Sequence, residues 1–369
     1  MDIMKESTLQ SIASNLQLQN ALLAAIAGAE PGSIKIDSFA QVQELVSTGL
    51  AEKIFAVGDQ LICPWTDIVT GETYDWVWDI VHMADVELED GSIVPGMYLQ
   101  AHYLTPFSIQ FDAPENEIAT ETTFQEGLSY YLKNEDGSFS LQTVTAGEAI
   151  TEGATYYHSA IKDTSGNICR YGYNRWSHSA YRQFLNSDAE KGAWWTPQHA
   201  GDVAPNELNS RAGFLSGFEE DFLSAIRPVK VRTWLNTVTD KEIGDYEDAY
   251  DKIFLASKEQ VYGTLESGAY NDEVWDYYKK ATGLTAPSNA DNIGRIKYKL
   301  DAQTSADWQR LRSPSRGGSY GTWNCNNAGN LNNNNANNAG RCAPDCDNVR
   351  MSNLKRRKQY ISQGVCSQP

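Results

Sequence analysis

The chain has 369 residues, 41% of them hydrophobic and 21% charged, with ten Trp, nineteen Tyr and eleven Phe. That supports a sizeable core in one large or two ordinary domains, and it excludes a disordered class. The formal net charge of −18 excludes a general affinity for nucleic acid or anionic membrane, and the one basic cluster, Lys355-Arg356-Arg357-Lys358, is too short to reverse this.

No stretch approaches the roughly 20 apolar residues of a membrane-spanning helix, so no membrane insertion is expected. The N-terminus lacks the basic-then-apolar order of a signal peptide, which implies a cytoplasmic product before any assembly into a particle. Ser7-Thr-Leu-Gln10 fits a capping box. From there Leu9, Ile12, Leu16, Gln19, Leu23 and Ile26 form a heptad seam that stops at Gly28 and Pro31-Gly32. Residues 1–34 therefore read as an N-terminal helix that needs partners, either copies of itself or the body of the chain. A homo-oligomer, with a trimer favoured, is one expectation.

Residues 37–110 turn to short strands. Phe55–Ile62, Tyr74–Val81 and Gly96–Tyr103 are rich in β-branched and aromatic residues, and Glu89-Asp-Gly-Ser92 marks a hairpin turn. Residues 113–160 form a β-rich insertion that opens on an acidic link, Pro114 to Glu126, and holds a second turn at Glu135-Asp-Gly-Ser138. Trp176–Asn186 and Gly217–Ile226 carry helical spacing. Ile253–Leu255 and Arg310–Pro314 read as strand pieces. The pattern is α+β, with residues 35–349 as one domain and 350–369 as a mobile tail.

Most chemistry finds no motif. The five His residues (82, 102, 158, 178, 199) lack metal-ligand spacing, and no nucleophile elbow, phosphate loop or dinucleotide fingerprint occurs. The six Cys residues are too sparse for a disulfide scaffold and read as buried or free thiols. The glycines of Arg316–Gly321 read as a tight bend with positive φ, and the acidic run Asp240–Asp251 as a solvated face. No cofactor or metal is expected, and no catalytic residue.

The informative stretch is NCNNAGNLNNNNANNAGRC at 324–342. Ten of the seventeen residues from Asn324 to Gly340 are Asn. A low-complexity tract would be disordered, but here Trp323, Ala328, Gly329, Leu331, Ala336 and Ala339 interrupt as a mostly apolar or small framework. A surface loop accepts substitution when neighbouring core residues, not the varying side chains, hold its backbone. Trp323, Leu331, Ala336 and Ala339 are expected to anchor inward while the Asn side chains point out.

The run Leu311-Arg-Ser-Pro-Ser-Arg-Gly-Gly-Ser-Tyr320, then Trp323, then Gly340-Arg-Cys-Ala-Pro344, resembles the C-terminal part of C-type-lectin-fold proteins related to formylglycine-generating enzyme. More narrowly, it resembles the variable proteins of diversity-generating retroelements, the family of the phage major tropism determinant. The resemblance is strong over 311–344 and diffuse over roughly 50–349, where Trp76–His82, Asn174–Asn186 and Phe254–Ser257 match the layout of gut-phage members. It implies a C-type-lectin-like (formylglycine-generating-enzyme-like) domain with a variable region at 315–348. In such families an error-prone copy changes adenines, so Asn codons become codons for many residue types and never a stop. The implied function is a hypervariable binding protein on a phage tail or prophage particle, with a protein or glycan receptor on a target cell surface as partner. The implied variable surface is Tyr320, Asn324, Asn326, Asn327, Asn330, Asn332, Asn333, Asn334, Asn335, Asn337 and Asn338. The implied scaffold is Arg316, Gly317, Gly318, Trp323 and Arg341. The enzyme branch of the fold, a copper oxidase with a late pair of reactive Cys, is the alternative. Here Cys342 and Cys346 fall in the closing strand and just beyond it, and Cys325 falls in a variable place.

Overall fold

The computed structural model describes residues 38–115, 118–119, 129–136, 139–143, 145, 155–158, 170–199, 202–241, 243–263, 274–282 and 294–349. The heptad seam and the basic tail lie outside these residues. Helix α1 (Phe39–Ser47) starts at Ser38, whose hydroxyl accepts from the Gln41 N–H, and buries Phe39, Val42, Leu45 and Val46 along one stripe. A single turn, α2 (Ala51–Ile54), leads to β1 (Gln60–Asp67), β2 (Glu72–Glu87), β3 (Ile93–Ala101) and the short β4 (Ile109–Gln110). The expected strand at Phe55–Ile62 thus starts later. Val57 to Asp59 form a turn whose Gly58 takes φ 96°, and pairing begins at Gln60. The β2–β3 hairpin closes at the expected Asp-Gly turn, with Gly91 at φ 79°.

Strands β5 (Ile118–Ala119), β6 (Ser129–Lys133), β7 (Phe139–Thr143) and β8 (Thr155–His158) pair antiparallel in a four-stranded sheet, order β5-β8-β6-β7, with Glu135-Asp136 turning β6 into β7. Trp176–His178 make one 3-10 turn before α3 (Ala180–Leu185), and Phe214–Gly217 make another before α4 (Glu220–Ala225). Then come β9 (Val229–Trp234), β10 (Tyr246–Asp251), β11 (Ile253–Phe254), α5 (Lys258–Tyr262), α6 (Asp276–Thr282), β12 (Lys297–Lys299) and β13 (Ala302–Asp307). The chain finishes with β14 (Gln309–Pro314), β15 (Gly321–Cys325), β16 (Leu331–Asn335), β17 (Ala339–Gly340) and β18 (Asp345–Val349).

The architecture is mixed α and β, with mostly antiparallel sheets and few, short helices. The largest sheet runs β1-β2-β3-β18-β11, so the last strand sits between β11 and β3, and its Asp347 bonds to Met97 of β3 across 250 residues of sequence. Helix α1 lies against β3, β18 and α4. Trp65, Trp76, Trp78, Phe214, Phe218 and Phe222 stack and edge together at centroid distances of 4.6–6.1 Å, joining this sheet to the 3-10 turn and α4. The same core cluster includes Leu311, Cys325 and Ala336, so Trp76–Val81 and the Asn-rich hairpin share one interior.

Two expectations fail here. The acidic run is not a solvated face at its ends. Asp240 is buried, accepting from the Tyr173 hydroxyl and from Asn236, and Asp251 is buried, accepting from Trp176 Nε1 and Arg182 Nε. Asn236 lies only four residues from Asp240, but Tyr173, Trp176 and Arg182 come from a segment too distant in sequence to be read from the run itself. Gly317 and Gly318 lie outside the positive-φ region, and a Cβ on Gly317 would meet nothing. Nothing in the structure explains their being glycine.

Candidate functional site

Three strands carry the Asn-rich segment, in the order β14-β15-β16. The register sets Asn324 opposite Arg310 on one side and Asn332 on the other, Trp323 opposite Asn333, and Thr322 opposite Asn334. β14 is buried along its whole length although its sequence is QRLRSP. Its two arginines explain how. Arg312 donates to the carbonyls of Leu255 and Arg232 and to Thr233 and Gln260. Arg310 serves the hairpin itself: its guanidinium donates to Thr322 Oγ1 and to the carbonyls of Asn334 (3.2 Å), Asn335 (3.1 Å) and Asn338 (2.7 Å). Trp308 covers it at 4.8 Å, and burial pushes the guanidinium down to about 9.

Other backbone struts meet the turn after β16. Ala336 is fully buried; its carbonyl accepts from the Phe111 and Asp112 N–H groups (3.0 and 3.2 Å), and its N–H reaches the Tyr320 carbonyl (2.8 Å). The Asn337 N–H donates to the Tyr171 carbonyl, and its own carbonyl accepts from Gln110 Nε2, both at 2.8 Å. Asn174 ties the preceding loop, donating to the Gly318 and Gly321 carbonyls, and is itself held by buried Asn236. Gly340 is required by closeness, since a Cβ there would fall 2.2 Å from the Trp308 ring. Arg316 lies over Trp234 and pairs with Asp245, and Arg341 pairs with Asp301 and donates to the Thr105 carbonyl.

The Asn side chains fall into two sets. Asn327, Asn332, Asn333 and Asn338 are exposed, and Asn330, Asn334, Asn335, Asn337 and Tyr320 are half-buried. Asn324 is not a display position. It is 2% exposed, because the β15 pleat turns Thr322 and Asn324 inward. The same pleat leaves Trp323 only half-buried, with the Lys258 ammonium 4.6 Å from its ring centre, so it is a lesser anchor than expected. Leu331 is likewise half-buried and Ala339 exposed, which leaves Ala336 as the buried anchor among the four. Asn326 has local work: its Oδ1 accepts from the Ala328 and Asn330 N–H groups and shapes the loop around Gly329 (φ 77°). Tyr171 joins the surface from outside the tract, its ring 5.2 Å from that of Tyr320.

Four histidines have carboxylate or ring partners: His82 with Asp276, His102 with Asp79, and His199 with Glu115 and His178. Cys325, Cys342 and Cys346 are buried free thiols that burial pushes up, away from thiolate chemistry. Among the described residues no group of three His, Cys, Asp or Glu is placed to hold a metal ion.

Residues 148–350, more than half of the chain, match the model of a family described as a domain of unknown function (DUF6273). The chain belongs to the DUF6273 family. The DUF6273 segment contains the whole hairpin and both arginines of β14. It does not contain β1 to β4, yet its last strand, β18, pairs with β3, and β17 pairs with β4. The sheet that supports the segment is therefore completed by strands that precede it. No curated protein and no solved structure matches the chain.

Proposed function

We propose that this protein is a ligand-binding scaffold of the C-type-lectin-like class that presents exchangeable side chains on the hairpin 320–338. One observation carries the reading. The backbone from Asn334 to Asn338 is held by Arg310, Gln110, Tyr171, Phe111 and Asp112, all of which bond to main-chain atoms. Such a backbone keeps its path when the side chains change. The neighbouring amides offer hydrogen bonds worth only about 0.5–1.5 kcal/mol net each, and ordering them on binding costs a comparable amount. This sequence is thus a template-like surface that binds weakly at a single site. The partner is a protein or glycan receptor on a cell surface, in keeping with a phage-tail or prophage particle. Assembly through residues 7–27 would multiply weak sites by effective concentration.

The test is a display library randomised at 327, 333, 335 and 338 and selected on cell-surface proteins and glycans. Clones with Tyr, Trp or Arg at these places should fold as the parent does and bind far more tightly, as aromatic and Arg anchors do at interfaces. Selected clones that bind through any other face would sink the proposal. So would a parent that already binds tightly and loses this on Asn→Ala changes in the loop.

A further inference from the structure

Strand β16 is the edge of its sheet, and among the described residues no strand lies beyond it. Which of its backbone groups face outward follows from the bonds at its two ends. The Asn326 N–H reaches the Asn330 carbonyl, and the Ala336 N–H reaches the Tyr320 carbonyl. Both continue the register of β15 and β16, so even-numbered residues turn their backbone toward β15. Leu331, Asn333 and Asn335 turn theirs away.

Bare outward donors on an edge strand are a template for another chain. Here the Asn333 N–H donates to Asn332 Oδ1 (2.9 Å) and the Asn335 N–H to Asn334 Oδ1 (3.1 Å). The outward donors of Asn333 and Asn335 are thus each taken by the side chain just before them. Asn338 Nδ2 also donates to Asn334 Oδ1, which fixes that amide in place. The Asn335 carbonyl is already held by Arg310 and the Asn338 N–H. The centre of the edge is therefore Asn333, exposed, with its N–H capped.

Charge points to what would pair there. The 24 residues from Gly317 to Gly340 contain no Asp, Glu, Lys or Arg, although the chain carries −18 overall. Two copies of so acidic a protein repel over most of their surface and meet at least cost on this neutral face. An antiparallel pair of β16 strands with Asn333 opposite itself would exchange both main-chain bonds of that residue about a two-fold axis.

We propose that the outer edge of β16 is a pairing surface for β16 of a second copy, which this sequence keeps closed with the amides of Asn332 and Asn334. Removing those two acceptors opens it. The geometry stands apart from the display reading; if positions 332 and 334 do vary, it says which variants self-associate.

Full-length N332A/N334A is compared with the parent and with N327A/N333A, which also loses two side-chain amides of the hairpin but keeps both caps. Sedimentation velocity should show N332A/N334A moving to twice the parent's assembly mass in the micromolar range, while N327A/N333A stays with the parent. At high dilution the 333 and 335 amides of N332A/N334A should exchange about threefold to tenfold faster, the factor for one lost exposed hydrogen bond. If the alanine pair folds poorly, N332V/N334V, a better strand former, carries the same expectation. Adding N333D to either open variant should reverse the association by placing like charges face to face. The proposal is overturned if the open variants keep the parent's mass, if N327A/N333A associates as well, or if N333D leaves the association intact.

Discussion

Arg310→Met is the sharpest test of how the hairpin is held. The substitution removes four donors' worth of contact: Thr322 Oγ1 and the carbonyls of Asn334, Asn335 and Asn338. These do not count equally. The Asn335 carbonyl keeps the Asn338 N–H, and Asn338 is exposed, so water replaces what its carbonyl loses. Thr322 is fully buried and Asn334 half-buried. The Asn334 carbonyl faces β15 and keeps its ladder partner Thr322, so Thr322 Oγ1 is the one group left poorly satisfied, at about 1–3 kcal/mol, with smaller losses at the carbonyls. Met also removes the desolvation cost of a buried guanidinium, which returns part of this. The expected net loss is about 1–3 kcal/mol, read from urea unfolding at neutral pH. Faster exchange should be confined at first to the 334–338 amides. Arg310→Lys keeps the charge but not the planar fork, so it should fall between. By contrast, Asn333→Ser, at an exposed position, should stay within about 0.5 kcal/mol. If R310M unfolds within about 0.5 kcal/mol of the parent, or N333S costs as much as R310M, the hairpin is not held from below in the way described.

Other outcomes follow from single contacts. Gly340→Ala must push its Cβ into Trp308 at 2.2 Å and should cost about 1–3 kcal/mol by the same unfolding measurement, as overpacked sites do. Asn324→Ala should cost about 1–3 kcal/mol because it empties a buried polar position, while Asn327→Ala should be nearly silent. Asp347→Asn tests a buried carboxyl. Burial holds Asp347 well above the ordinary range, with only the Met97 N–H opposing, so its contribution to stability is present in acid and lost as pH rises past the unfolded value. The Asn variant should therefore melt higher than the parent at pH 8, with the difference gone at low pH. A constant difference across that range would remove the carboxyl as its cause.

Much of the scaffold was legible in the sequence because its signals are local. The Asp-Gly turn at 90–91, the aromatic strand around Trp76 and the helical spacing at 176–186 and 217–226 each announce an element within a few residues. Burial of charge was not legible. Arg310 and Arg312 look like the solvent face of a strand, and only carbonyls brought from Arg232, Leu255 and the hairpin turn make their burial tolerable. The ends of the 240–251 run failed for the same reason, since Tyr173 and Arg182, some 70 residues earlier, donate to them.

The ten asparagines show where composition stops being informative. Asn324, Asn326 and Asn333 are the same residue within one tract, yet one is buried, one organises a loop and one stands free. What separates them is the register of β15 against β16, and that register is fixed by Gly321–Asn335 and Cys325–Leu331 pairings no side-chain pattern in the tract encodes. A segment of one amide repeated has little hydrophobic alternation with which to choose its own face. Its register must be imposed by neighbours, here by Arg310 beneath Thr322 and by Ala336 locked to Phe111 and Tyr320. A scaffold that fixes register through the main chain leaves outward side chains such as those of Asn327 and Asn333 without a structural duty. That is the property a changeable surface requires, and it is why the struts under the hairpin, more than the asparagines on it, are the place to look for what this family preserves.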